Sequence, residues 1–342
     1  MKIKNLFIMS LAAFSFVACS NDEELSVPQT ADVVVNLASV APETKATTKA
    51  SDFEGDALNS LAAEKSITFG SLYVFEGETF ITKVAITSAS VSVPKLTVGK
   101  SYTFAAAVNT TDPNVTTIAD LKEAAIALGN SKDAGSFVMY GDATAEIAEA
   151  GEPATPTDVT ITVKRVRAGV QLVSIKTNFG AEVPVYAREG EAFVKSLKIL
   201  GTNPTSKLDG GVIAANTDNI NGIDASFGTT GLSFDSNVTS VSVEDNSVRA
   251  YCCPGALTYV VLNVTYKYEE KDYDRVYNIT TLNTLNNNAG LLANTLYGLK
   301  VVLTGAGSGE EGKPDEFNSA EVTLAVADWS NGQIHDVPNQ EN

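Results

Sequence analysis

Nucleophilic catalysis by a Ser-His-Asp or Cys-His arrangement needs a histidine held in a folded core. This 342-residue chain has one, His335, seven residues from its end. Such triads and histidine-rich metal sites are thereby excluded from the core. Of the three cysteines, Cys252 and Cys253 are adjacent. On a strand their side chains point to opposite faces, which favours two separate environments over a bond between them. GSGEEGKP at 307–314 fits the G-x-x-x-x-G-K part of a phosphate-binding loop. Pro314 stands where that loop needs Ser or Thr, however, and a strand follows where a helix is required, so it reads as an inter-strand loop. TDNINGID at 217–224 offers oxygens suited to calcium without the spacing of an EF-hand, and reads as a solvated loop. Carboxylates are spread so widely that none can be singled out as a glycosidase pair. The expectation is a protein that is not an enzyme and has no cofactor and no metal.

The remaining residues with chemistry to offer sit in the leader. Lys2 and Lys4 precede an apolar run from Leu6 to Ala18, the pattern of a secretory signal and too short for a membrane span. Phe16-Val17-Ala18-Cys19 resembles the bacterial lipobox, in which the cysteine is lipidated and becomes the first residue after cleavage. Phe16 sits where Leu is commoner. The SNDEE that follows resembles the surface-export signal of lipoproteins in Bacteroidales. Further on, Val33, Val35 and Leu37 alternate as a half-buried strand does, and Lys45 and Lys49 follow, each preceding an alanine, Ala46 and Ala50. A core-quality strand beside two basic sites in a leader calls for an explanation.

The rest of the chain sets the frame. Its length suits about two domains, and its 44% apolar content is ordinary for a globular protein. A net charge of −17 argues against nucleic acid as a partner. Short alternating segments closed by Gly, Pro, Asn or Ser recur from 66 to 177 and again from 192 to 328, the pattern of β-sandwiches. One helix is expected at TTIADLKEAAIALGN, capped by Thr116 or Thr117, with Ile118, Leu121, Ala125 and Leu128 on one face and Gly129 at its end. The run from Asp158 to Thr177 splits near Arg165–Arg167, one strand closing the first sandwich and the next opening the second. The tyrosine-rich TYKYEEKDYDRVY reads as a hairpin with cross-strand aromatic pairs.

The last strand matches the leader strand in kind. In AEVTLAVADW the alternating set is Val322, Leu324 and Val326, with Trp329 on the opposite face. Burying three such residues is worth roughly 5–9 kcal/mol, against a whole-domain stability of roughly 5–15 kcal/mol. A sandwich that lost its leader strand would strongly favour a replacement from another molecule.

Taken in order, several segments resemble the major fimbrial subunits of Bacteroidales, the type V pilins. They are the lipobox at Cys19, the strand followed by TKA, the DLKEAAIAL segment, FVMYGDA, VKRVRAGVQL, LYGLKVVLTG and the terminal VADW. The resemblance implies an all-β chain of two transthyretin-like β-sandwich domains, with one short helix in the N-terminal domain. It divides the chain into a signal peptide (1–19), a propeptide with a removable first strand (20–49), an N-terminal domain (50–166), a C-terminal domain (167–318) and a donor strand with its tail (319–342). It further implies a lipid on Cys19, and cleavage by a trypsin-like surface protease at Lys49-Ala50 or, as second choice, Lys45-Ala46. The best-known members are cut after Arg, whereas both candidates here are Lys. The removable strand is Val33, Val35 and Leu37, and the donor is Val322, Leu324, Val326 and Trp329 of a neighbouring copy. Implied partners are self in a head-to-tail filament, anchor and tip subunits, the protease, and the outer membrane through the lipid before maturation. The cut at Lys49 removes four of 24 basic and five of 41 acidic residues, so charge is not what maturation changes. The competing expectation is a surface lipoprotein that stays monomeric and binds a glycan or a host protein.

Overall fold

The computed structural model describes residues 28–39, 62–131, 137–149, 156–213, 225–226, 232–234, 249–257, 259–309, 320–328 and 334–335. The fold is all-β and sandwich-like, with two principal cores in chain order. The first is built from β1 (Thr30–Ala38), β2 (Gly70–Glu76), β3 (Thr79–Ile86), β4 (Ser90–Thr97), β5 (Ser101–Val108), α1 (Ile118–Glu123), β6 (Ala125–Ala127), β7 (Met139–Glu146), β8 (Thr157–Thr162) and β9 (Lys164–Arg165). A five-stranded sheet, β3-β2-β5-β7-β9, faces a three-stranded one, β4-β1-β8. Alternating residues of both meet between them, among them Leu72, Val74, Phe104, Ala106 and Met139 from the larger sheet and Val33, Val35, Val93 and Ile161 from the smaller. At Gly141 of β7 the end of β8 lies close against the backbone. A Cβ there would lie 2.3 Å from the Thr162 carbonyl oxygen and 2.9 Å from Ile161 Cγ2, so no larger residue fits without moving β8.

The second core follows with β10 (Ala168–Thr177), α2 (Val185–Glu189), β11 (Glu191–Leu200), β12 (Thr205–Lys207), β13 (Ala225–Ser226), β14 (Leu232–Phe234), β15 (Arg249–Cys252), β16 (Tyr259–Tyr268), β17 (Lys271–Ile279), α3 (Leu285–Asn288), β18 (Thr295–Leu303), β19 (Ala320–Asp328) and β20 (Ile334–His335). One sheet runs β15-β10-β18-β19-β20 and the other β13-β11-β16-β17, with β14 also on β11. The tyrosine-rich segment is the β16–β17 hairpin. Tyr266 lies opposite Tyr273, and Glu269 and Glu270 make the turn with positive φ at both positions, 48° and 62°. Both turn residues sit in the left-handed region that tight hairpins require. Cys252 and Cys253 are buried and free, and Cys252 packs in the second core.

The helix is half as long as its sequence pattern suggests. Thr117 caps it, its hydroxyl accepting from the Asp120 amide at 3.0 Å, and Leu121 is buried, but the helix stops at Glu123. Ala125–Ala127 instead forms a strand antiparallel to Thr205–Lys207 of the second core. A pairing partner 80 residues away overrides local helix propensity, which is worth only tenths of a kcal/mol per residue. Two further short helices, α2 and α3, lie in the second half of the chain, beyond the single helix expected.

Candidate functional site

The leader strand occupies the middle of the smaller sheet of the first core. β1 runs antiparallel to β4, pairing Val33 with Val93 and Val35 with Val91, and parallel to β8, pairing Val33 with Thr157 and Leu37 with Ile161. Flanking bonds extend both ladders: the Leu37 amide donates to the Ala89 carbonyl at 2.7 Å, and the Val163 amide to the Ala38 carbonyl at 2.8 Å. Val33 and Val35 are fully buried, Leu37 is 5% exposed, and Ala31 makes a fourth buried position at 7%.

On β4 an extra residue is accommodated opposite Asp32, at Pro94–Lys95, with Lys95 at φ 61°. Proline cannot donate to a ladder, and a bulge at the sheet margin is where it is tolerated. The Lys95 amide donates to Asp32 Oδ1 at 3.2 Å, so the bulge also fixes the leader's register.

Among the described residues, β1 is the sole ladder partner of β4 and of β8. Removing it would leave those strands with no sheet hydrogen bonding and with a slot between them. The slot has four apolar positions at period two.

β19 stands in a different relation to its own sheet. One edge pairs along its whole length with β18, from Ala320 opposite Leu303 to Asp328 opposite Thr295. Among the described residues, the other edge is paired only at Val326 and Ala327, by β20. Leu324 is buried at 5%, while Ala320 and Val322 are half-buried against the second core. If β19 left, β18 would still pair with β10. The first core therefore depends on its leader strand far more than the second depends on β19. In register the two strands run alike: Ala31, Val33, Val35 and Leu37 against Ala320, Val322, Leu324 and Val326.

The structure thus holds Val33, Val35 and Leu37 in one slot, and Val322, Leu324 and Val326 in a strand of the other core. Cys19, Lys45, Ala46, Lys49, Ala50 and Trp329 lie outside the described residues. Sequence reasoning missed Ala31. Its signal was there, two residues before Val33 in the same alternation.

No protein-family model matches the chain, and no curated protein matches it. Solved structures do. A candidate cell adhesion protein from Parabacteroides distasonis superposes with a TM-score of 0.59 at 18% identity, covering 89% of this chain and 98% of that one. A fimbrilin from Porphyromonas gingivalis gives 0.57 at 15% identity, covering 90% and 100%. A candidate cell adhesion protein from Bacteroides eggerthii gives 0.52 at 18%, covering 89% and 97%. At these identities the likeness is one of fold, and it extends over nearly the whole of each chain.

Proposed function

We propose that this chain is a structural subunit of a surface fimbria, exported as a lipoprotein through Cys19 and matured by proteolysis at Lys49 or Lys45. Cleavage releases the segment carrying β1, and β19 of a neighbouring copy fills the slot. Repetition of that contact, head to tail, makes a filament rather than a closed ring, and its physics is strand addition to an open sheet edge. On this reading residues 50–166 and 167–318 are the two domains, and other fimbrial subunits serve as anchor and tip. The observation that carries the proposal is the asymmetry between the two sheets. One collapses to unpaired strands without its leader; the other keeps a sheet without its last strand. The fold likeness to a fimbrilin supports the same reading.

Brief trypsin treatment of the non-lipidated precursor tests it, followed by intact mass and unboiled gel electrophoresis. The expected result is a single early cut at Lys49 or Lys45, with multimers appearing only afterwards. A leader that resists trypsin, or falls away with neither assembly nor change in stability, overturns the proposal and leaves a monomeric surface binder as the reading to pursue.

A further inference from the structure

The two cores are joined covalently once, at Val166–Arg167, where sequence alone suggested only a boundary. A single crossing of that kind is a swivel by default, and interfaces between units of one chain ordinarily permit relative motion. Four charged side chains surround this crossing: Glu64 and Arg167 at 0% exposure, Arg165 at 1% and Arg249 at 4%. Such residues are almost never fully buried unless paired or fully hydrogen-bonded.

Glu64 belongs to a 3-10 turn, Ala62–Lys65, on the segment leading into β2. Its carboxylate reaches into the second core. Both oxygens accept from Arg249 Nη1 at 2.9 Å, and Oε1 also accepts from the Tyr251 hydroxyl at 2.7 Å. Arg249 Nε donates onward to Gln171 Oε1 on β10 at 3.0 Å. The Glu64 carbonyl accepts from Arg165 Nε at 2.9 Å, and the Arg165 amide donates to Asn294 Oδ1 at 3.2 Å, just before β18. The Asn294 amide donates in turn to the Arg167 carbonyl at 2.8 Å. On the other side, Arg167 donates to Ser206 Oγ and to the Ala127 carbonyl, both at 2.6 Å, bracing the β6–β12 pair that bridges the cores. The Phe137 ring meets Tyr251 edge-on at 4.9 Å.

We propose that this buried cluster, centred on Glu64, is a rigid joint that makes the two cores move as one body. Withdrawing Glu64 would strand Arg249 in a dry site without its carboxylate and break the Tyr251 bond at the same moment, so the joint opens as a unit or not at all. Burial and the neighbouring Glu64 carboxylate push the Tyr251 phenol far up, which keeps it a donor at all ordinary pH. For the fimbrial reading, on which this consequence rests, the joint fixes the spacing between the strand slot on one core and β19 on the other. The joint itself does not depend on that reading and can be tested on the uncleaved chain.

The test is a distance distribution between spin labels at Glu78→Cys and Asp272→Cys. Both positions are exposed, one in each core, while native Cys252 and Cys253 are buried and Cys19 is replaced by Ser. The uncleaved protein should give one narrow distribution. Glu64→Ala should broaden it at least about twofold and separate the melting of the two cores, and Glu64→Gln should do so to a smaller extent. Val301→Ala, buried in the second core and outside the hydrogen-bonded cluster, should lower the melting temperature without broadening. A broad distribution in the parent chain overturns the proposal, as does an unchanged width in Glu64→Ala. If Glu64→Ala fails to fold, an unchanged width in Glu64→Gln overturns it equally.

Discussion

A chain beginning at Ala50 should fail to hold its first core together, and should regain it when a peptide spanning residues 318–330 is added. The slot loses Ala31, Val33, Val35 and Leu37, all buried in the uncleaved protein. The three larger side chains alone account for roughly 5–9 kcal/mol of burial. β4 and β8 also lose their ladder partner among the described residues, at about 0.5–1.5 kcal/mol per hydrogen bond. The combined loss rivals the roughly 5–15 kcal/mol that holds a domain folded. Amide hydrogen exchange should show β4 and β8 unprotected while β16 and β18 stay protected, and the peptide should restore protection. A peptide carrying Leu324→Asp should not, because its carboxylate would enter the slot at the position of Val35, which is fully buried. A shortened chain as well protected as its parent would show that the leader strand is dispensable.

Truncation before Ala320 should separate folding from assembly. The second core loses one buried large side chain, Leu324, and part of Val322, together worth about 2–4 kcal/mol. β18 keeps β10 at its other edge. The truncated chain should therefore fold, lose its leader to trypsin and bind the 318–330 peptide, yet form no multimers alone. Mixed into full-length protein after cleavage, it accepts a donor and offers none, so it should shorten the ladder on an unboiled gel in proportion to its share. Ladders of undiminished length would mean that β19 is not the strand that moves.

How much of this was legible in the sequence differs from element to element. The leader strand and the last strand were both readable, because period-two alternation is local and a strand carries it whole. Their surroundings were not. Nothing in residues 31–37 says that β8, some 120 residues on, will lie parallel to one edge and β4 antiparallel to the other. The dependence of two strands on one is a property of sheet order, which no single segment encodes. The α1 region failed for the same reason: its apolar spacing continues to Leu128, but a strand from the other core claims Ala125–Ala127. Arg165 and Arg167 were read as a boundary, and boundaries are ordinarily exposed. Their partners are distant in sequence: Arg165 donates to the Glu64 carbonyl, Arg167 to Ser206 and the Ala127 carbonyl, and the Glu64 carboxylate itself pairs with Arg249, 185 residues away. The long run does break between Arg165 and Ala168, as expected, but where two strands were expected it forms three, because Lys164–Arg165 makes a short strand of its own against β7.

The central claim is that β19 of one molecule takes the place of β1 in another. The matching alternation puts Thr323 where Val34 stands, and Val34 lies directly opposite Ser92 of β4. Within its own molecule Thr323 lies opposite Lys300. Directly opposed residues of an antiparallel pair have Cβ atoms about 4.5–5.5 Å apart, close enough for mild oxidation to link two cysteines after a small adjustment. The most direct measurement is therefore oxidative cross-linking of a mixture of Ser92→Cys and Thr323→Cys chains, both with Cys19 replaced by Ser, before and after trypsin. A heterodimeric disulfide that joins position 92 of one chain to position 323 of the other, and appears only after the cut, is the predicted result. Multimers that form without that link, while Thr323→Cys still cross-links to a Lys300→Cys introduced in the same chain, would contradict the account.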